Sequence, residues 1–444
     1  MTAAPVGTLL RIDPRPSSPP APVRAAGSKN VFNHVAAVAM LGADLELLLR
    51  GAPENSDREN VRCIATDAGL DWASGPGWVR VSGTAAGTGV GAVGERMRAS
   101  VCFGIALGAG LGRSRFPGTG GCAFTERPID VHLRVVEAAG GRIASTAAGV
   151  ALDFPSGPRG FSLSVATRRG TTSVGASVSA LLVAARATGR SRILDASSDR
   201  EVVAVAETLT GLGVAVVQQP DGTIEVEGAG GPLRGSVTVD IPPDHTESGT
   251  YLLAGLLRSR RVELAGIRPD DFAPGFRECL DRIGVVLTGR HVRGLPGAVA
   301  DRGDRLRAAD IRTGAHPGFP TDLQPQMAAF LSQAEGRSHV HEEVYDRRVS
   351  HVAPLARLGV GLHVVGGVQR IDGPQRVRGA PYARVTDIRC GAAIIVAAAA
   401  AGGPTTLHDP DGHLARGYGN LRGGLRAIGL TVEDVRPAPV PEGS

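Results

Sequence analysis

Apolar positions along the chain fall into a recurring order. A small-residue apolar helix is followed by a short turn, a β-branched strand, a polar loop, a second helix, and then a glycine and a closing strand. The second helices are predicted to end at Gly69, Gly140, Gly213, Gly284, Gly359 and Gly429, where glycine suits a helix C-cap in the left-handed region. These glycines are spaced 71, 73, 71, 75 and 70 residues apart. The first helices are predicted to follow Lys29, Arg98, Ser173, Gly249, Asp322 and Arg389, at spacings of 69, 75, 76, 73 and 67 residues. Each of the six units is too small to bury its own apolar face, so they are expected to pack as two groups of three. The second copy carries a long insert, Arg113 to Glu126, of the kind that marks a functional loop. The stretch GTAAGTGVGAVG (83–94) has no following GK[ST] and reads as a flexible linker rather than a phosphate loop.

Composition narrows the class. With 444 residues there is room for two domains, and 42% hydrophobic against 20% charged residues suits globular cores. Aromatics are only 4%, so those cores must be built from Ala, Val, Leu and Ile. Five cysteines (Cys63, Cys102, Cys122, Cys279, Cys390) include no CxxC pair, which argues against a disulfide framework and a zinc site. His339, His341 and His351 look scattered, and no metal or cofactor is expected. No signal pattern opens the chain and no apolar run suits a bilayer, so a cytoplasmic protein is expected. Pro14 to Pro22 reads as an extended lead-in. A net charge of +5 favours small anions weakly, and no arginine run alternates with aromatics as a nucleic-acid binder requires. No obligate protein partner is expected.

Charge becomes informative at the helix starts. Of 48 basic residues only Lys29 is a lysine, and it stands at the first start position. Arg98 and Arg389 occupy others, Asp322 another, and Ser173 lies in TTSVGAS. Cations cost stability against the positive end of a helix dipole, so three in register make sense if an anion sits among them. The plainer reading is three solvated side chains.

These residues carry a family likeness. GSKN (27–30), RASV (98–101), GGC followed by RPIDVH (120–132), SVGAS (173–177), GTYLLAG (249–255), PGFPTDLQPQM (317–327), VTDIRCGA (385–392) and ARGYGNL (415–421) together resemble the enolpyruvyltransferase family, in its UDP-N-acetylglucosamine 1-carboxyvinyltransferase branch. The likeness runs from about Gly27 to about Asp434. It implies an α/β (α+β) fold in two domains, an inside-out α/β barrel of six βαβαββ units, three per domain. The domains would be 27–242 and 1–26 plus 243–444, with the site between them.

The same resemblance implies the chemistry: transfer of the enolpyruvyl group of phosphoenolpyruvate to a hydroxyl of a uridine nucleotide, by addition and then elimination. Lys29, Arg98, Arg127, Arg389 and Arg416 are the expected anion-binding cations. Asp322 is the candidate base, or a plain N-cap. Cys122, in FPGTGGCAF between Arg115 and Arg127, is the candidate acid or covalent site. By analogy Arg127, Pro128, Ile129, Asp130 and Val131 clasp uracil and phosphate, with Asp130 accepting from the base. Ser173, Val174 and Gly175 face the nucleotide phosphates. Asn30, Val344 and Arg348 (the last two in HEEVYDRR) and Asp387 complete the substrate-binding set. Departures from the family pattern cluster on the acceptor side: Phe32, Asn33 and His34 stand where small or aliphatic residues are usual, and His245 replaces a common arginine. They leave two acceptors in view, UDP-N-acetylglucosamine and, as in a related class from peptidyl-nucleoside antibiotic synthesis, UMP. A non-catalytic nucleotide-binding relative is the rival of another class.

Overall fold

The computed structural model describes residues 7–16, 19–117, 128–146, 149–168, 170–345 and 348–435. Twelve α-helices lie among them. They are α1 (Lys29–Ala36), α2 (Ser56–Asp67), α3 (Ser100–Leu111), α4 (Asp130–Ala138), α5 (Val174–Arg186), α6 (Arg200–Gly211), α7 (His245–Arg258), α8 (Pro274–Ile283), α9 (Gln324–Leu331), α10 (Val352–Arg357), α11 (Ile388–Ala400) and α12 (Leu421–Ala427). The odd-numbered members are the small-residue apolar helices of the repeat. Ten residues of α3, ten of α5 and twelve of α11 are buried, as helices apolar on every side must be. Helix α3 packs on α5, and α11 packs on α7 and α9, so helices form the inside and sheets the outside. Among the described residues, no helix is long and apolar enough to cross a membrane.

All six predicted closing glycines have positive φ, between 83° and 92°, a conformation that a Cβ would strain. Among the described residues six sheets follow, one per repeat. The third repeat (162–229) and the fifth (311–373) show the full βαβαββ order. The first and last are completed from a distance. Leu233–Asp240 pairs parallel with Gly42–Arg50, supplying the first repeat with its missing strand. Thr8–Asp13 inserts antiparallel between Thr405–Asp409 and Thr431–Asp434, completing the sixth. Buried side chains gather into two large clusters, one within residues 31–241, the other joining 10–23 to 251–432.

The chain passes between the clusters twice, and the passages lie side by side. Ser28 N donates to Pro242 O at 2.7 Å and Asp244 N to Ala26 O at 2.8 Å. Gly27 is required here, since a Cβ on it would stand 1.7 Å from Gly51 O.

Two expectations need correction. Helix α7 begins at His245, where Asp244 caps Thr246 N and Glu247 N, so Gly249 is inside the helix. Glycine lets α7 pack closely there: a Cβ would meet Leu323 Cδ2 at 2.8 Å and that side chain would have to shift. The 83–94 stretch is no flexible linker. Ala86 N and Gly87 N donate to Ala68 O, Val90 N to Arg115 O, and Arg115 N to Thr88 O, which pins it between α2 and the strand Arg113–Phe116.

Candidate active site

A cavity of about 1150 Å³ lies where the starts of α1, α3, α5, α9 and α11 approach one another. Each start is built differently. Ser28 caps α1 by accepting from Val31 N, leaving Lys29 as the first helical residue. Ser173 caps α5, accepting from Ala176 N at 3.3 Å. Asp387 caps α11, accepting from Arg389 N and Cys390 N at 2.8 and 3.0 Å, so Arg389 lies inside the first turn. Arg98 stands just before α3, whose N-cap is Ala99, and reaches Pro128 O at 2.9 Å. The N-cap reading of Asp322 fails. It sits within a short 3₁₀ turn, Thr321–Leu323, capped by Pro320, and Leu323 occupies the N-cap of α9.

Two carboxylates organise the cations, Asp57 fully buried and Asp322 about a third exposed on its side chain. Asp57, on α2, is 1% exposed and accepts from Lys29 Nζ at 3.1 Å and Arg416 Nε at 2.9 Å. Burial alone would raise its pKa, but the two cations outweigh burial and hold it below the usual carboxylate range. Asp322 accepts from Arg348 Nη1 at 2.8 Å and Arg389 Nη2 at 2.5 Å. Burial again opposes them, and the guanidiniums again prevail, keeping Asp322 well below its ordinary value. The loop beside it is tied by Glu342, which accepts from Thr313 Oγ1, Thr321 Oγ1, Val344 N and Tyr345 N, each at 2.9 Å.

Of the residues proposed from sequence, Lys29, Asn30, Arg98, Pro128, Asp130, Val131, Ser173, Val174, Gly175, Asp322, Val344, Arg348, Asp387, Arg389 and Arg416 all line this cavity. Ile129 does not. It is the N-cap residue of α4 and packs, partly buried, against the first hydrophobic cluster. Asp130 opens α4 and faces the exposed Arg168 at 3.6 Å. Cys122 and Arg127 lie outside the described residues. The three histidines are dispersed: His339 bonds Asp310 at 2.9 Å, His351 is buried against Gln369 at 3.0 Å, and His341 ends a strand.

Sequence reasoning missed Asp57 and Glu201. Asp57 belongs to a stripe of buried positions on α2, Asp57, Asn60, Val61, Ile64 and Ala65, and an acid within such a stripe was the available signal. Glu201, in the first turn of α6, also lines the cavity, and burial, with Asp199 adding to it, pushes its carboxyl up to about 8. The clusters meet across polar contacts beyond Asp57–Arg416: Arg200 to Asp271 at 2.6 Å and Ser198 Oγ to His316 Nδ1 at 3.0 Å.

The EPSP synthase (3-phosphoshikimate 1-carboxyvinyltransferase) family matches residues 19–425. A UDP-N-acetylglucosamine 1-carboxyvinyltransferase of Paracoccus denitrificans is 36% identical over 348 residues, 77% of this chain and 78% of the relative. One from Coprothermobacter proteolyticus is 32% identical over 422 residues, 93% of this chain and 94% of the relative. Among solved structures, the enolpyruvyl transferase NikO from Streptomyces tendae superposes with a TM-score of 0.85 at 25% identity, covering 97% of this chain and 99% of its own. EPSP synthase from Acinetobacter baumannii shares the fold, with a TM-score of 0.70 at 17% identity over 97% of this chain and 100% of its own.

Proposed function

The chain belongs to the EPSP synthase (3-phosphoshikimate 1-carboxyvinyltransferase) family and is an enolpyruvyltransferase, and from that premise we propose that it transfers the enolpyruvyl group of phosphoenolpyruvate to the 3-hydroxyl of the sugar of UDP-N-acetylglucosamine. The observation that carries the reading is the pairing of four cations with two carboxylates in one cavity, Lys29 and Arg416 on the buried Asp57, Arg348 and Arg389 on the partly exposed Asp322. A small ligand with a phosphate and a carboxylate offers what such cations exchange for: two anionic groups a few ångströms apart.

In this reading substrate binding arms the base. Engagement of Arg348 or Arg389 by the substrate carboxylate withdraws the interactions that hold Asp322 acidic, and burial then raises its basicity. Asp322 takes the proton of the acceptor hydroxyl as its oxygen attacks the enol carbon, while the methylene carbon gains a proton from Cys122. The Cys122 thiolate so formed takes a proton back from the resulting methyl group, which restores the double bond as the C–O bond breaks and inorganic phosphate leaves. Closure over both ligands excludes water.

UMP is the alternative acceptor in this proposal. The polar side chains of Asn33 and His34 line the cavity where the family pattern is small or aliphatic. Phosphate release from phosphoenolpyruvate, measured with UDP-N-acetylglucosamine and UMP offered separately, tests both. Release with UMP alone reassigns the acceptor, and release with neither removes the uridine-nucleotide reading.

A further inference from the structure

The side of α1 that meets the cavity carries Lys29 and Asn30 and, one turn on, Asn33 and His34. The first two have partners: Lys29 in Asp57, Asn30 in Glu201. Asn33 differs. It is 3% exposed, and its Oδ1 meets no hydrogen-bond donor among the described residues. His34 Nδ1 is likewise without a partner there. Neighbouring positions on the same helix, Phe32 and Val35, are 0% exposed and apolar, so a hydrophobic residue at 33 would fold more cheaply. A buried acceptor left unmade costs about 1–3 kcal/mol, and such a cost is characteristically retained where a ligand supplies the missing partner.

The surroundings decide which part of a ligand that is. His132, beside Gly175, donates to or accepts from Ser179 Oγ at 2.8 Å. Burial, aided by Arg98, takes its imidazole down to about 3, and burial, aided by Lys29, takes that of His34 to about 4. Both rings are therefore neutral near neutral pH. The ring nitrogens near Asn33 are thus uncharged hydrogen-bonding groups, with Lys29 and Arg98 close by, while Arg348, Arg389 and Arg416 gather around Asp57 and Asp322.

We propose that Asn33 is a specificity-determining residue for the acceptor: its side-chain carbonyl accepts from a neutral O–H or N–H donor on the nucleoside portion of the nucleotide. The inference rests on the uridine-nucleotide reading above, and calorimetric titration of UMP and of UDP-N-acetylglucosamine into the intact protein separates the two. A wild-type chain that binds neither nucleotide overturns the functional reading and this inference with it. Where the wild type binds, Asn33→Leu, close in volume, is expected to weaken nucleotide binding and raise the nucleotide KM about tenfold. The KM for phosphoenolpyruvate should stay within about twofold, and the Tm of the unliganded variant should equal or exceed that of wild type, because an unsatisfied polar atom has been removed. Nucleotide affinity unchanged in Asn33→Leu, or a Tm that falls along with a parallel loss of phosphoenolpyruvate affinity, overturns the proposal. If Asn33→Leu does not fold, Asn33→Ala is read by the same criteria, with nucleotide binding rather than Tm deciding.

Discussion

Arg416 donates its Nε to Asp57 Oδ1 at 2.9 Å, across 359 positions of sequence and from one hydrophobic cluster to the other. Lys29 occupies the other oxygen of the same carboxylate. Removing that charge leaves two cations facing each other in a largely buried place. Asp57→Asn is expected to lower stability by about 3 kcal/mol in urea unfolding at neutral pH. Added inorganic phosphate should raise the Tm of the variant more than that of wild type, because an anion substitutes for the missing carboxylate. The folded pKa of Asp57 is depressed, so its contribution is present above the unfolded carboxyl value of about 4 and is lost as pH falls below it.

Asp322 neutralises the two guanidiniums and also serves as the proposed base, and these roles separate on mutation. Asp322→Ala should bind uridine nucleotide, hold phosphoenolpyruvate at least as tightly as wild type because Arg348 and Arg389 lose a competitor, and turn over about 100-fold more slowly or worse. Single-turnover kinetics with separate binding titrations distinguish these effects. Near-normal turnover removes Asp322 as base.

Thiol reactivity should be sharply uneven. Burial pushes Cys102 up to about 11, Cys279 to about 12 and Cys390 to about 11, so these stay protonated and silent at neutral pH. An epoxide electrophile of the fosfomycin type is expected to alkylate Cys122 first. Peptide mass mapping checks this, with Cys122→Ser as control; equal modification of that variant refutes it.

A buried acid at the paired crossings gives stability an unusual slope. Glu247 accepts from Ala26 N at 2.8 Å and Tyr251 Oη at 2.9 Å, and burial, with Asp244 nearby, pushes its carboxyl up to about 8. A raised folded pKa means its contribution is complete below the unfolded value of about 4.3 and is lost as pH rises toward 8. Unfolding free energy should therefore fall between about pH 5 and 8 on this account, and Glu247→Gln, which mimics the protonated acid, should flatten that decline.

Two glycines separate backbone strain from steric exclusion. Gly213 has φ 85° with open space around its absent Cβ, so Gly213→Ala should cost about 1 kcal/mol. Gly27→Ala forces a Cβ to 1.7 Å from Gly51 O and should cost more than about 4 kcal/mol, since the crossing itself must move. Chemical denaturation of the two variants side by side gives the comparison.

The repeat was legible because each unit must end its second helix the same way: the left-handed turn admits glycine, so Gly69 through Gly429 punctuate the sequence as they do the structure. Helix starts were less legible. Gly249 has the spacing of a start but serves close packing, while the actual start is fixed by Asp244, whose capping acid reads like any polar residue in a loop. The cavity-lining set was readable through Lys29, Arg389 and Asp322, which the repeat places in register. Asp57 was hidden by its setting. An acid in the first turn of a helix is ordinary on electrostatic grounds, and only its place among buried neighbours reveals that a partner must reach it from afar.

The strand Thr8–Asp13 has a consequence for synthesis. It leaves the ribosome well before both its hydrogen-bonding neighbours, Thr405–Asp409 and Thr431–Asp434. At about 5–20 residues per second, it waits on the order of tens of seconds with both edges unsatisfied. Residues 31–241 can meanwhile assemble their own core. Assembly is thus ordered in time, since Asp57 can be seated in its core before Arg416, which closes on it, has been made.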